Sequence, residues 1–509
     1  MSGVVQAKTP EVARAEGHKK PSLGRSFLWS AAEQGGMAVV SFVMLIVFAR
    51  WLGPADFGLF AIVLAVVEVL AVLATTLFAD ALVQVRQLTR QHIDSAFTVV
   101  LSIGTLLVLG VALAMPWFTS VTGHPQAGVM LLAVAMSIPL AGVASVLTAL
   151  KRRDMAFQQL AARSIAGRLS GAAVGVVAVV TGFGVWGLAV QHLVSAAMVL
   201  LLTWWLCCPG PRLAVHREST VELLRLGGPV LGQTLLGFLG TRLFIVVFGI
   251  LLGPEAAGHL TLAFRLVNTG WALVASAVNQ VLLPALVKLT DEGERMRQRW
   301  LDISRATGFI VFPAFAVLAV IAVDLLPALF GNGWGPAAPV VAAMGAAVII
   351  SVPTVFAMNW FKAVGRGRPL MWWSAIDLLA LAVLIGAAGL MPATDVSLRV
   401  AAGVWLVRSL VSASVALWLV LRHAGPGAGS LLLALMWPTA LALGCAALAW
   451  SAAHALPNSM SPLASTAAGL GAAVALWLPA TWWALRRWRL APPQVIALVP
   501  AGTATTSAL

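Results

Sequence analysis

Residues 49–73 read ARWLGPADFGLFAIVLAVVEVLAVL, and this stretch decides the class of the chain. From Phe57 to Leu73 only Gly58 and Glu68 interrupt the apolar residues, and the run continues to Phe78. At about 1.5 Å per residue, a helix of that length crosses the roughly 30 Å hydrocarbon layer of a bilayer. A second apolar run, 37–49, ends just before it. Between the two stands Leu52-Gly53-Pro54, where glycine suits a helix end and proline the first turn of the next. The unit is a span, a tight turn and another span.

Working outward, the same pattern fills the 509 residues. Fourteen apolar runs fall near 26–50, 58–79, 95–118, 127–149, 157–181, 184–206, 226–251, 258–284, 303–328, 336–361, 370–391, 398–421, 430–453 and 463–485. Hydrophobic residues make up 60% of the chain and charged residues 10%, against roughly 25% charged in a soluble domain. A mean hydropathy of +0.95 cannot be hidden in a soluble core. This excludes a soluble enzyme, a nucleic-acid-binding protein and a disordered chain, and it predicts an all-α integral membrane protein. The net charge of +14 then reads as the Lys/Arg excess of cytoplasmic loops. Cys207, Cys208 and Cys445 are too few for a disulfide framework. The first apolar run is too long for a cleavable signal peptide and lacks its small-x-small site.

Orientation follows from the cations. The lead at 1–25 carries five, and the even-numbered loops with the C-terminal end carry twenty, among them Lys151-Arg152-Arg153, Arg295-Arg297-Arg299 and Arg486-Arg487-Arg489. The odd-numbered loops carry only Arg50 and Arg399. Both termini are therefore expected in the cytoplasm, which requires an even number of spans.

The opening motif recurs. Leu252-Gly253-Pro254 and Gly258 repeat Leu52-Gly53-Pro54 and Gly58 at an offset of 200 residues. At the same offset Val47-Phe48 faces Val247-Phe248, Glu33 faces Gln233, and Glu68 faces Asn268. Six spans separate the copies, so the repeats run parallel, and a substrate path is expected between them. The expected organisation is a polar lead at 1–25, an N-lobe at 26–206, a cytoplasmic linker at 207–225, a C-lobe at 226–421, two further helices at 430–485 and a tail at 486–509.

The opening stretch, with ALVQVRQLT at 81–89, resembles the polysaccharide-transport flippases of the multidrug/oligosaccharidyl-lipid/polysaccharide superfamily, nearest the Wzx-like and colanic-acid-exporter-like members. GFGVWGLAV at 182–190 and VNQVLLPALVKL at 278–289 support the likeness, which covers about 25–485. The resemblance implies 12 to 14 helices in two lobes forming a V. It also implies movement of a lipid-linked oligosaccharide across the bacterial inner membrane.

Other motifs weigh little. GFGVWG also fits a dinucleotide-binding glycine pattern, but a span precedes it and Trp204-Trp205 stand where an acidic residue would be needed. It is expected to be a tight turn. Gly167, Gly171 and Gly175 predict close helix packing, with a dimer face as the alternative. The eight histidines include no pair at helical metal spacing, so neither metal nor cofactor is expected. Many of the 20 tryptophans, such as Trp51, Trp117, Trp186, Trp204, Trp205 and Trp334, lie near span ends and fit interfacial belts. Trp271 and Trp360 are candidates for stacking on sugar rings.

Charges inside spans are costly and mark candidate sites. Arg168, Arg242, Arg265 and Arg408 are the candidate cationic cavity, because a guanidinium fork suits bidentate phosphate binding. The alternative is that each pairs with a carboxylate. Glu33, Glu68 and Asp377 are candidates for coupling to protons or sodium, with salt bridging as the alternative. Gly53, Pro54, Gly58, Gly253, Pro254 and Gly258 mark the repeated turns. The reading is a flippase for an undecaprenyl-diphosphate-linked oligosaccharide. Its partners would be that substrate, membrane lipids, a coupling ion, and polymerase and chain-length proteins. A drug or cation antiporter of the same superfamily would favour an anionic cavity instead, and a membrane enzyme of polysaccharide assembly would need a longer external loop.

Overall fold

The computed structural model describes residues 23–207, 210–287, 289, 292–392, 397–424, 428–455 and 462–487. The polar lead before Leu23, Cys208, Lys288 and the tail after Arg487 lie outside the described residues, as do the side chains of Glu33 and Gln233. Fifteen α-helices follow in order among the described residues, with no strand. They are α1 Leu23–Thr76, α2 Ala79–Gln84, α3 Arg90–Thr122, α4 Pro125–Ala135, α5 Ser137–Arg153, α6 Phe157–Ala178, α7 Trp186–Leu206, α8 Arg217–Leu252, α9 Pro254–Val287, α10 Gly293–Phe330, α11 Ala338–Ala363, α12 Gly367–Gly389, α13 Leu398–Ala424, α14 Ala428–His454 and α15 Pro462–Arg487.

Among the described residues twelve helical stretches are long and apolar enough to cross a membrane, where fourteen spans were expected. The difference lies in two places. The first two expected spans run on as one stretch, because the two arms of α1 continue through a bend at Gly53. The eighth expected span, within α9, is not among the twelve; its second half, 266–287, holds no charged residue, and several of its side chains lie outside the described residues. The fourth expected span is broken at Met136 into α4 and α5. The chain is a multi-pass, all-α membrane protein.

Gly53 sits at φ 75°, ψ 172° and Gly253 at φ 89°, ψ 171°. Both lie in a backbone region open essentially to glycine alone. The repeat thus carries the same bend in both copies, and the two bends touch. A Cβ added at Gly58 would fall on the carbonyl oxygen of Pro254, and one at Gly258 on the carbonyl oxygen of Pro54. The two turns therefore occupy one end of the bundle, as parallel repeats require. GFGVWG is a tight turn as expected, with Gly182 at φ 93° inside a π-helical turn at Val179–Phe183 and Gly184 at φ 55° just after it.

From that end the second arm of α1 runs beside α8. Ile62 packs on Gly249, and Leu77 offers its carbonyl against Gly227. Within a membrane, close packing by small residues and hydrogen bonding hold helices together, because lipid is as apolar as leucine. Gly167, Gly171 and Gly175 of α6 meet Val199, Ser195 and Gln191 of α7 in this way, so the glycine face is covered within the chain. Phe244, Phe248, Phe264 and Trp405 join α8, α9 and α13 through tilted and edge-on ring contacts at 4.6–5.7 Å. The last two helices pack on α10, where Trp477 donates to the Phe309 carbonyl at 2.8 Å and Gly308 rests on Pro438.

Two tryptophan readings change. Trp334, expected in an interfacial belt, is 1% exposed. It stands in the 3-10 turn Asn332–Ala337, donates to the Ala49 carbonyl at 2.9 Å and meets Phe57 edge-on at 5.6 Å. It plugs the second repeat into the first at the turn end. Trp360, a candidate for sugar stacking, is buried against Trp300. Trp271 is partly buried against the same apolar core. Trp51, Trp117, Trp204 and Trp205 are exposed, as a belt requires.

Candidate functional site

Four helices bring charge to the seam between the repeats. Arg242 lies 11 residues before Gly253 on α8, and Arg265 lies 11 after Pro254 on α9. Glu68 lies 14 residues beyond Pro54 on α1, and Arg168 lies 14 before Gly182 on α6. At about 1.5 Å per residue these positions lie roughly 15–20 Å below the turns, near the middle of a bilayer. The sequence spacing therefore converges on one level.

Arg242 and Glu68 pair across the repeats, Nη2 to Oε2 at 2.7 Å, with side chains 28% and 32% exposed. Glu68, Arg242 and Arg168 are the charged groups in the neighbourhood of Arg265. Arg265 itself is exposed, with its guanidinium 5.6 Å from the Phe57 ring centre. A histidine stands beside this group. His192 of α7 lies within reach of the Arg168 and Arg265 charges, and its Nε2 stands 3.1 Å from Ser137 Oγ. A lone histidine in an apolar run was the available signal.

Arg408 stands apart. Its Nη2 pairs with Asp377 Oδ2 at 2.5 Å, between α13 and α12, and its guanidinium lies 4.3 Å from the Trp405 ring centre. Both side chains are largely buried, at 18% and 15% exposure. The candidate cations thus divide. Arg168, Arg242 and Arg265 share the seam with Glu68, and Arg408 forms a separate pair within the second repeat.

Two further polar groups went unremarked in the sequence. Asp324 of α10 accepts a hydrogen bond from Ser465 of α15 at 3.1 Å, tying the last helix to the bundle. Arg163 lies six residues inside α6 and is 9% exposed.

Of the three seam guanidiniums only that of Arg242 is in contact with the Glu68 carboxylate among the described residues, so the positive residues there outnumber the negative one.

The sequence family described as polysaccharide biosynthesis protein matches residues 47–339, more than half of the chain and including both turns and the seam charges. The chain belongs to that family. As a member of the polysaccharide biosynthesis protein family it has curated relatives. It is 29% identical over 356 residues to the succinoglycan biosynthesis transport protein ExoT of Rhizobium meliloti (strain 1021), covering 70% of this chain and 72% of that one. It is 22% identical over 318 residues to the lipopolysaccharide biosynthesis protein WzxC of Escherichia coli (strain K12), covering 61% of this chain and 64% of that one. Among solved structures, the lipid II flippase MurJ in an inward closed conformation superposes with a TM-score of 0.72 at 12% identity, over 91% of this chain and all of that one. An inward-facing multidrug resistance MATE family transporter gives 0.52 at 17% identity, over 78% and 94%. At these identities the structures show a shared fold, and the family membership rests on the sequence.

Proposed function

We propose that this protein moves a lipid-linked oligosaccharide, carried on a polyprenyl diphosphate, from the inner to the outer leaflet of the bacterial inner membrane. The observation that carries the reading is the meeting of Arg168, Arg242, Arg265 and Glu68 at the seam between the repeats, midway along the spans. A diphosphate crossing hydrocarbon needs fixed positive charge at that depth, because an unpaired anion there is strongly disfavoured. The relatives named for succinoglycan transport and lipopolysaccharide biosynthesis support the same substrate class.

In this reading residues 26–206 and 226–421 are the two lobes, and the chain alternates by rocking them. The glycine turns close the outer end. Arg86, Arg152 and Arg297 face the cytoplasm, along with both termini. A cation antiporter would require a net negative site, and three arginines against one carboxylate oppose it. Reconstitution into liposomes tests the reading. A fluorescent oligosaccharide on a polyprenyl diphosphate should become accessible to an impermeant glycosidase only when the protein is present. Equal accessibility without protein, or transport of organic cations instead, would overturn it.

A further inference from the structure

The first repeat holds a second cationic pocket, displaced from the seam cluster toward the end opposite the glycine turns. Its volume is about 320 Å³, room for on the order of ten waters at about 30 Å³ each. It is walled by α1, α5, α6 and α7, with Ala79 of α2 at one side. Thr75 at its rim lies 17 residues beyond Gly58, about 25 Å along the helix, so the pocket lies toward the end of the bundle opposite the glycine turns.

The sequence builds this space. On α5, Ala141, Ala144, Ser145 and Thr148 follow the i, i+3, i+4, i+7 spacing of one helix face. A face of such small side chains usually draws a neighbouring helix into contact. Here α6 and α7 are held to each other by Gly167, Gly171 and Gly175, and the small face of α5 is left lining a void.

Two arginines turn into it. In the run Lys151-Arg152-Arg153, Arg153 is committed elsewhere: it donates to the Leu82, Val85 and Arg86 carbonyls at 2.5–3.1 Å and caps α2. Arg152 instead lines the pocket. Opposite stands Arg163, 9% exposed, one of whose N–H groups donates to Thr203 Oγ1 at 2.6 Å. None of the ten lining residues is acidic. The three hydroxyls on the wall donate back to their own helices, Thr75 to Ala71, Ser145 to Gly142 and Thr148 to Ala144, at 2.5–2.8 Å. Their lone pairs are therefore what they offer the pocket. Guanidinium donors beside hydroxyl acceptors match a phosphate that carries alcohol groups next to it.

We propose that this pocket binds a hydroxyl-bearing phosphate ester, either a phosphoglycerol lipid headgroup or a glycosyl phosphate. Thr75 follows Glu68 by seven residues on α1, and Ala196 and Val199 follow His192 by four and seven on α7, so the pocket lies about two helical turns below the seam cluster on the same helix faces. Its glycosyl-phosphate arm rests on the flippase reading, and its headgroup arm does not. Native mass spectrometry of the full chain in detergent tests it, with phosphatidylglycerol as one probe and a farnesyl-diphosphate-linked hexosamine as the other. The second arm is run in Arg265→Gln so that the seam contributes little. Phosphatidylcholine is the comparison. One or both anionic probes should be retained over phosphatidylcholine, and the arm that responds names the source. The pair Arg152→Gln, Arg163→Gln should lower retention at least tenfold. Because Arg163 is buried, that variant can fail to fold. Ala141→Leu fills the void without touching a charge and should lower retention likewise in a protein of unchanged melting temperature. Retention of both probes no better than phosphatidylcholine, or retention unchanged in Ala141→Leu, would overturn the proposal.

Discussion

Gly58 and Gly258 each lean on the carbonyl of the proline that opens the other's helix. The relationship is reciprocal, and it closes the two repeats against each other at the turn end. A side chain at either position must push backbone, which cannot rotate aside as a side chain can.

Gly58→Ala should therefore destabilise the fold by about 1–3 kcal/mol, as overpacking does. Gly237→Ala on α8, with no atom near its added Cβ, should be neutral or stabilising by up to about 1 kcal/mol. Melting temperatures in detergent compare the two. Equal melting of Gly58→Ala and the parent would mean that the turns do not touch.

The pair Glu68–Arg242 joins helices of different repeats. Roughly a third of each side chain reaches solvent, so its net contribution is on the order of 1 kcal/mol. Arg242→Glu should lower abundance in the membrane by placing two carboxylates together, and adding Glu68→Arg should restore it. Failure of the exchanged pair to recover would show that the two charges act separately.

Asp377 and Arg408 are more enclosed. Asp377→Asn leaves a guanidinium without its carboxylate, a loss on the order of 3–5 kcal/mol for a buried pair, so the protein should be depleted from the membrane. Replacing both, with Asp377→Leu and Arg408→Met, should restore abundance, since apolar isosteres often substitute for a buried pair. Export by the restored double variant would place Arg408 outside substrate binding. Normal abundance without export would return it to the site.

The segment after α7 is strapped to α3. Asp94 Oδ1 accepts from the Arg212 backbone N–H at 2.8 Å, Ser95 Oγ from that of His216 at 2.8 Å, and Thr98 Oγ1 from that of Ala214 at 3.0 Å. Each bond is worth about 1 kcal/mol. Asp94→Ala with Thr98→Val should speed tryptic cleavage after Arg212 several-fold. Unchanged cleavage would mean the strap is open in solution.

Spans and repeat were legible because hydrocarbon imposes length and apolarity on every crossing, and because glycine is required where φ is positive. That is why Gly53 and Gly253 match at the same place in both copies of the repeat. Partners were not legible. Arg242 and Arg408 look alike in the sequence, yet one meets Glu68 across the seam and the other Asp377 on the next helix. Which of two similar neighbours a buried cation reaches depends on helix rotation, and single-sequence patterns do not encode it. Trp334 misled for a related reason: its place at a span end is right, but the facing repeat, rather than lipid, covers it. Arg163 was missed because its six-residue depth into α6 fell within the uncertainty of a span boundary.

Arg265 tests the central claim most directly, because it is exposed at the seam and makes no ion pair within 4.0 Å among the described residues. Export of glycan should be measured alongside protein abundance for Arg265→Gln and Arg265→Lys. If the seam holds a diphosphate, Gln should abolish export at near-normal abundance. Lys should rescue it only partly, for a point charge lacks the bidentate fork. A stable Arg265→Gln protein with undiminished export would contradict the account.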